Sequence, residues 1–203
     1  MYNNLYHLIE ERKVRTIRRI TFLLIAAFTL FNLNGCLSTE YKEYIFKLNP
    51  DGSGEGTITF HNIISLEDDD KDVSFKDFGG LVSDYMEGTR FEDDNPNYDV
   101  TNKELYEADS VLNGKVDFKF KNFRDIGFFK AQNCDCSPLM YYVGDFGETF
   151  SESNGNYLGD EKKFPVIIWQ SDEKELSLKT IVQEDLSKTH SLLSLYHTWK
   201  DTK

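Results

Sequence analysis

Hydrophobic residues in this chain follow two periods and one unbroken run. The period of two appears first over 41–48, where Tyr44, Phe46 and Leu48 alternate with Glu43 and Lys47, and again over 56–63, where Ile58 and Phe60 alternate with Thr57, Thr59 and His61. Alternation sends successive side chains to opposite faces of a sheet, so each run predicts a half-buried strand. Asn49-Pro50-Asp51-Gly52-Ser53-Gly54 lies between them and is dense in turn residues, which predicts a β-hairpin. A turn at Val111-Leu112-Asn113-Gly114 leads into Val116, Phe118 and Phe120, which alternate with Lys115, Lys119 and Lys121. Further strands are predicted at 139–143, 146–150, 164–169 and 175–181, the last two paired across residues 171–174. Residues 151–163 are rich in Ser, Asn, Gly and charge and predict a long mobile loop.

The helical period is rarer. Phe75, Phe78, Val82, Tyr85 and Met86 recur at three- and four-residue spacing, with Asp72 or Ser74 able to cap the start and Gly88 to end it. Leu192, Leu193, Leu195, Tyr196 and Trp199 predict a C-terminal helix that also carries His190 and His197 on roughly one face. Residues 98–109 read as extended or ambiguous, with a helical option over 104–108, and 123–130 as a short helix or turn. The fold class expected is α+β: an antiparallel β-sheet of hairpins, one helix near 73–87 and a short C-terminal helix packed on it.

The unbroken run lies ahead of all this. Residues 20–33 are apolar except for Thr21, Thr29 and Asn32, and they follow the basic cluster Arg12, Lys13, Arg15, Arg18 and Arg19. A basic segment, an apolar segment and a small residue form a secretory signal. Leu33-Asn34-Gly35-Cys36 resembles the bacterial lipobox. That resemblance implies lipidation of Cys36, removal of residues 1–35, a short tether at 36–40 and a single domain over 41–203. Two acyl signals give stable anchoring where one does not. Leu37 rather than Asp after the cysteine favours an outer membrane by analogy with known sorting. Two other readings are an ordinary cleaved signal with a free Cys36 thiol, and an uncleaved membrane helix. The fourteen residues of the run span roughly 21 Å, against a hydrocarbon core of about 30 Å.

The strand, Leu48-Asn49-Pro50-Asp51-Gly52-Ser53-Gly54 and the second strand, shortly after a lipobox, together resemble the opening of LppM-like envelope lipoproteins. Gly114-Lys115-Val116-Asp117-Phe118-Lys119-Phe120-Lys121-Asn122-Phe123 is a second echo. The resemblance implies an antiparallel α+β domain anchored to an envelope and implies no catalytic residues.

Charge narrows the partners. The whole chain carries 23 basic and 35 acidic residues, for a net charge of −12. The leader holds five basic and two acidic residues, which leaves 18 and 33, or −15, beyond it. Nucleic-acid binding depends on Lys and Arg neutralising phosphates, so nucleic acid is not an expected partner. The same charge is unsuited to lying flat on an anionic membrane and keeps the domain soluble.

Candidate chemistry is sparse. Gly52-Ser53-Gly54-Glu55-Gly56 precedes a strand rather than a helix and sits between Asp51 and Glu55, so it does not read as a phosphate loop. An EF-hand loop starting at Asp68 needs Gly sixth and Glu twelfth, where Val73 and Gly79 stand. Cys134 and Cys136 are a possible disulfide, or two free thiols; metal or redox use lacks ligands, because His61, His190 and His197 are distant in sequence. No nucleophile elbow, zinc-protease motif or Walker loop occurs. No catalytic, metal or cofactor-binding residue is therefore nominated, and no cofactor is expected. The leading expectation is a non-enzymatic, membrane-anchored binding or structural module that meets another envelope component. A calcium- or glycan-binding module using loops 67–72 and 92–97 with Tyr85, Phe91 and Tyr98 is the first alternative. An envelope enzyme with a scattered site is the second.

Overall fold

In the computed structural model, described for residues 37–131, 134, 136–143, 147–159 and 165–203, the chain forms two open antiparallel sheets and a few short helices. The α+β expectation holds in that broad form, with strand well in excess of helix. Cys36 and residues 1–35 lie outside the described residues.

The larger sheet has β1 (Leu37–Leu48) and β2 (Gly54–Leu66) at its centre, joined by the predicted hairpin. Gly52 supplies the positive φ of 86° in that turn, a conformation open to glycine at no steric cost. Outward from β2 lie β4 (Val111–Phe120) and β3 (Asp99–Ala108); outward from β1 lie β10 (Glu175–Ile181) and β7 (Thr149–Ser153). A short β11 (Thr189–Ser191) pairs with the far end of β2. The second sheet runs β5 (Phe128–Lys130), β6 (Leu139–Tyr142), β9 (Val166–Trp169) and β8 (Asn156–Tyr157). The helices are α1 (Ser74–Gly80), continued as a π-helical segment Leu81–Met86, then α2 (Arg90–Asp94), a 3-10 turn Phe123–Ile126 and α3 (Leu193–Lys200).

Several expectations change. Residues 37–40 are not a tether: Leu37, Ser38 and Thr39 pair with Ser65, Ile64 and Ile63, so the strand starts directly after Cys36. The β3–β4 turn is Asp109-Ser110, both at positive φ (54° and 61°), a two-residue hairpin loop. Asn113-Gly114, read as that turn, lies inside β4 instead. Residues 104–108 are strand rather than helix, because they pair along β4. β9 and β10 do not pair with each other; β9 joins β6 and β8, while β10 runs between β1 and β7. Part of the predicted 151–163 loop is strand, in β7 and β8. The 73–86 helix forms but widens into a π segment past Gly79-Gly80, and Asp72 accepts the Ser74 N–H at 2.8 Å at its start. The expected strand start at Phe146 and the Phe164 position fall outside the described residues.

Two apolar clusters lie on one face of the large sheet. Phe46, Ile58, Phe118, Phe120, Leu176 and Leu178 meet Phe128, Leu139, Ile167 and Trp169 of the second sheet. Phe46 and Phe128 cross edge-to-face at 5.0 Å, the favoured aromatic geometry. Ile63, Leu105 and Leu112 meet Phe78, Leu81, Leu192 and Tyr196 of the helices. The glycines of β2 belong to this packing. Gly56 lies directly opposite Phe118, whose ring occupies the space a Cβ would need, at 2.4 Å.

Candidate functional site

One cavity opens where the two clusters meet. Its volume is about 410 Å³, within the range of small-molecule pockets, about 300–1,000 Å³. Two cross-strand rows form its floor. Lys42, Phe60, Gly114 and Leu105 are register partners across β1, β2, β4 and β3; Tyr44, Ile58, Val116 and Lys103 form the next row. Because side chains alternate, Lys42 and Tyr44 share the inward face with Phe46. Gly114 leaves the floor open: a Cβ there would sit 2.9 Å from Ile63 Cδ1. Leu81, Tyr85 and Met86 of the π segment and Phe91 of α2 form the opposite wall, and Tyr98, Tyr141 and Glu148 close one end.

That end is polar. Lys42 Nζ donates to Glu148 Oε1 at 2.7 Å, and the Glu148 side chain is only 8% exposed. The Tyr44 hydroxyl lies 3.1 and 3.0 Å from the two carboxylate oxygens, and the Thr180 hydroxyl donates to Oε2. Thr180 is the β10 partner of Lys42, so both reach the same carboxylate from one register row. A carboxylate has about four acceptor positions. Three donors take up most of those of Glu148, with Tyr44 lying between both oxygens.

The phenols around this carboxylate are held in their neutral, donating form. Burial, then the charge of Glu148, pushes Tyr98 up to about 12. Burial also raises Tyr44 and Tyr141 strongly, reinforced by Glu148 and by neighbouring tyrosines. Tyr98 stacks on Phe118 at 4.0 Å and Tyr44 lies 6.2 Å from Phe46, so the rings are fixed by the core while their hydroxyls reach the polar end. Lys103 is held by Gly88 O at 2.7 Å and by Glu92 at 2.8 Å.

Sequence reasoning named Tyr85, Phe91 and Tyr98, and the fold brings all three to this cavity, together with Asp94 and Asn95 of the 92–97 loop. Loop 67–72 is elsewhere. It folds into a tight turn, with Asp68 and Lys71 bridged and Asp69 and Asp70 at positive φ, beside Lys188 and His190. Among the described residues no three His, Cys, Asp or Glu side chains converge as a metal site. His190 belongs to β11 rather than to the C-terminal helix, so it shares no helix face with His197; they approach Glu67 and Glu107 respectively. His61 stacks on Tyr41 at 4.3 Å on the outer sheet face. Cys134 and Cys136 form a disulfide, one of the options left open by the sequence. Lys115 pairs with Asp117 at 3.0 Å on β4, which lies inside the sheet between β3 and β2.

Lys42 and Glu148 were missed. Lys42 had a legible signal, being at the inward parity of Tyr44 and Phe46. Glu148 had none, because its partners come from β1 and β10. Among the described residues no helix is long and apolar enough to cross a membrane. Comparison with known proteins finds no matching family, no matching curated protein and no matching solved structure.

Proposed function

We propose that this protein is a lipid-anchored envelope domain that binds a small ligand in the cavity between the large sheet and the π segment. The observation that carries the binding reading is the cavity itself, with its mixed apolar floor and donor-rich end. Its buried carboxylate favours binding over catalysis. Glu148 already accepts from three of the chain's own donors, which stabilise it as a carboxylate and leave it little capacity to take a substrate proton.

The anchor rests on the sequence: the basic and apolar leader and Leu33-Asn34-Gly35-Cys36. With β1 starting at Leu37, such an anchor holds the domain close to the bilayer rather than on a flexible stalk. Outer-membrane placement rests on Leu37 following the cysteine. Glycan binding is the second reading, favoured by Tyr85, Phe91 and Tyr98 lining one cavity.

Cell fractionation and palmitate labelling of the wild type and Cys36→Ala test the anchor. Labelled, membrane-bound wild type and an unlabelled, released variant are expected. A variant that stays processed and anchored overturns it.

A further inference from the structure

The cavity's hydrogen-bonding inventory is lopsided, and this deepens the binding reading above, on which it rests. Every lining cation is already matched by a carboxylate: Lys42 by Glu148, Lys103 by Glu92 and Lys115 by Asp117. On the acidic side, Asp94 is held by Arg90 at 3.1 Å, and Glu104 faces Lys115 across the β3–β4 ladder. No unmatched positive charge is left to attract an anion among the described lining residues, and the chain as a whole carries −12. An incoming carboxylate would also have to compete with Glu148 for Lys42, leaving a buried carboxylate with fewer donors.

What remains at the polar end is mostly donors. The Tyr98 and Tyr141 hydroxyls line the cavity and make no hydrogen bond among the described residues. Lys42 has three N–H groups and gives one to Glu148. Half-buried donors without partners are costly unless water or a ligand supplies an acceptor. The rest of the lining is largely apolar: Ile58, Phe60 and Ile63 on β2 lie beside Val116 and Leu105 in the floor, with Leu81 on the opposite wall.

From this asymmetry we infer that the cavity takes a neutral amphiphile. Its uncharged oxygen acceptors (ester, carbonyl or hydroxyl) meet Tyr98, Tyr141 and Lys42, and its hydrocarbon part lies along Ile58, Phe60 and Ile63 toward Leu81. The tyrosines act here as specificity-determining residues. Each gives a hydrogen bond that no described residue of the free protein accepts.

The test uses the chain from residue 36 with Cys36→Ser, since 36–203 forms one compact unit. Four probes are titrated by calorimetry: monolauroylglycerol, laurate and dodecyltrimethylammonium, each below its micelle concentration, and maltose. Monolauroylglycerol is expected to bind at least tenfold more tightly than the other three. Tyr98→Phe and Tyr141→Phe should each weaken it about three- to tenfold while leaving the melting temperature of the free protein within a degree or two, because neither hydroxyl has a hydrogen-bond partner among the described residues. Tight binding of laurate or dodecyltrimethylammonium, or Phe variants that bind the glyceride unchanged, overturns the neutral-acceptor inference and leaves the cavity a binding site. Maltose alone binding overturns it in favour of the glycan reading. Binding of none of the four overturns both the inference and the cavity reading on which it rests.

Discussion

Lys42 and Glu148 stand 106 positions apart in the chain and meet at 2.7 Å on the inner face of the large sheet. The pair ties the segment entering β7 to the two central strands, since Tyr44 of β1 and Thr180 of β10 bond the same carboxylate. It also makes the polar end of the cavity electrically neutral. Three predictions follow the physics of this region and of the turn beside it.

Removing Glu148 leaves Lys42 and two hydroxyls without their acceptor, so Glu148→Ala should cost about 2–4 kcal/mol. Lys42 is 22% exposed and can partly rehydrate, which keeps the loss below that of a fully buried pair. In a double-mutant cycle Lys42→Met and Glu148→Ala should fall short of additivity by about 1–3 kcal/mol. Urea unfolding of the four proteins measures both numbers. Additive losses would mean that the two side chains do not interact.

Stability should fall at alkaline pH. Tyr98 keeps its proton to about 12 in the folded protein, whereas an unfolded tyrosine loses it near 10. Between these values the unfolded chain binds fewer protons, so stability is full below about pH 10 and is lost as pH rises through the folded value, by about 2–3 kcal/mol from this residue. Tyr44 and Tyr141 are raised by the same burial and add to the slope. Unfolding midpoints at pH 8, 10 and 11.5 should show a shallower decline for Tyr98→Phe than for wild type.

Asn113 should be intolerant of replacement. Its side chain is 2% exposed; it accepts the Asn62 N–H at 3.1 Å and donates to Ala108 O and Val111 O at 3.2 and 3.3 Å. Asn62 has a φ of 53°, at the point where β2 leaves β4 before pairing with β11. Asn113→Leu fills the space but leaves these backbone groups unpaired, for a loss of about 2–3 kcal/mol. Thermal unfolding checks this, and a variant as stable as wild type would mean that the amide is dispensable.

Alternation gave the strands of the first hairpin, the inward set Val116, Phe118 and Phe120 and the strand core of β10, while short apolar runs gave those of β6 and β9. Spacing at three and four gave α1 with its π extension and the C-terminal helix. These patterns are local: a side chain's face follows from its parity or its helical angle, whatever lies opposite. Asn113-Gly114 misled because turn chemistry describes what a residue tolerates. Asn113 instead spends its amide on the backbone of the neighbouring strand, and Gly114 makes room for Ile63. The pairing of β10 with β1 and β7 was equally illegible, since the alternation of Glu175–Ile181 fits any partner of matching face.

The sequence by itself determined the acidic balance, the lipobox-like leader and the parity that puts Lys42 inward. Only the tertiary structure decided that Lys42 meets a carboxylate, that Tyr85, Phe91 and Tyr98 share one cavity and that Glu148 accepts from three of the chain's own donors. Those facts depend on which strands become neighbours. Strand pairing is set by the packing of two whole sheets over one core, so the site exists only after the fold has closed around it.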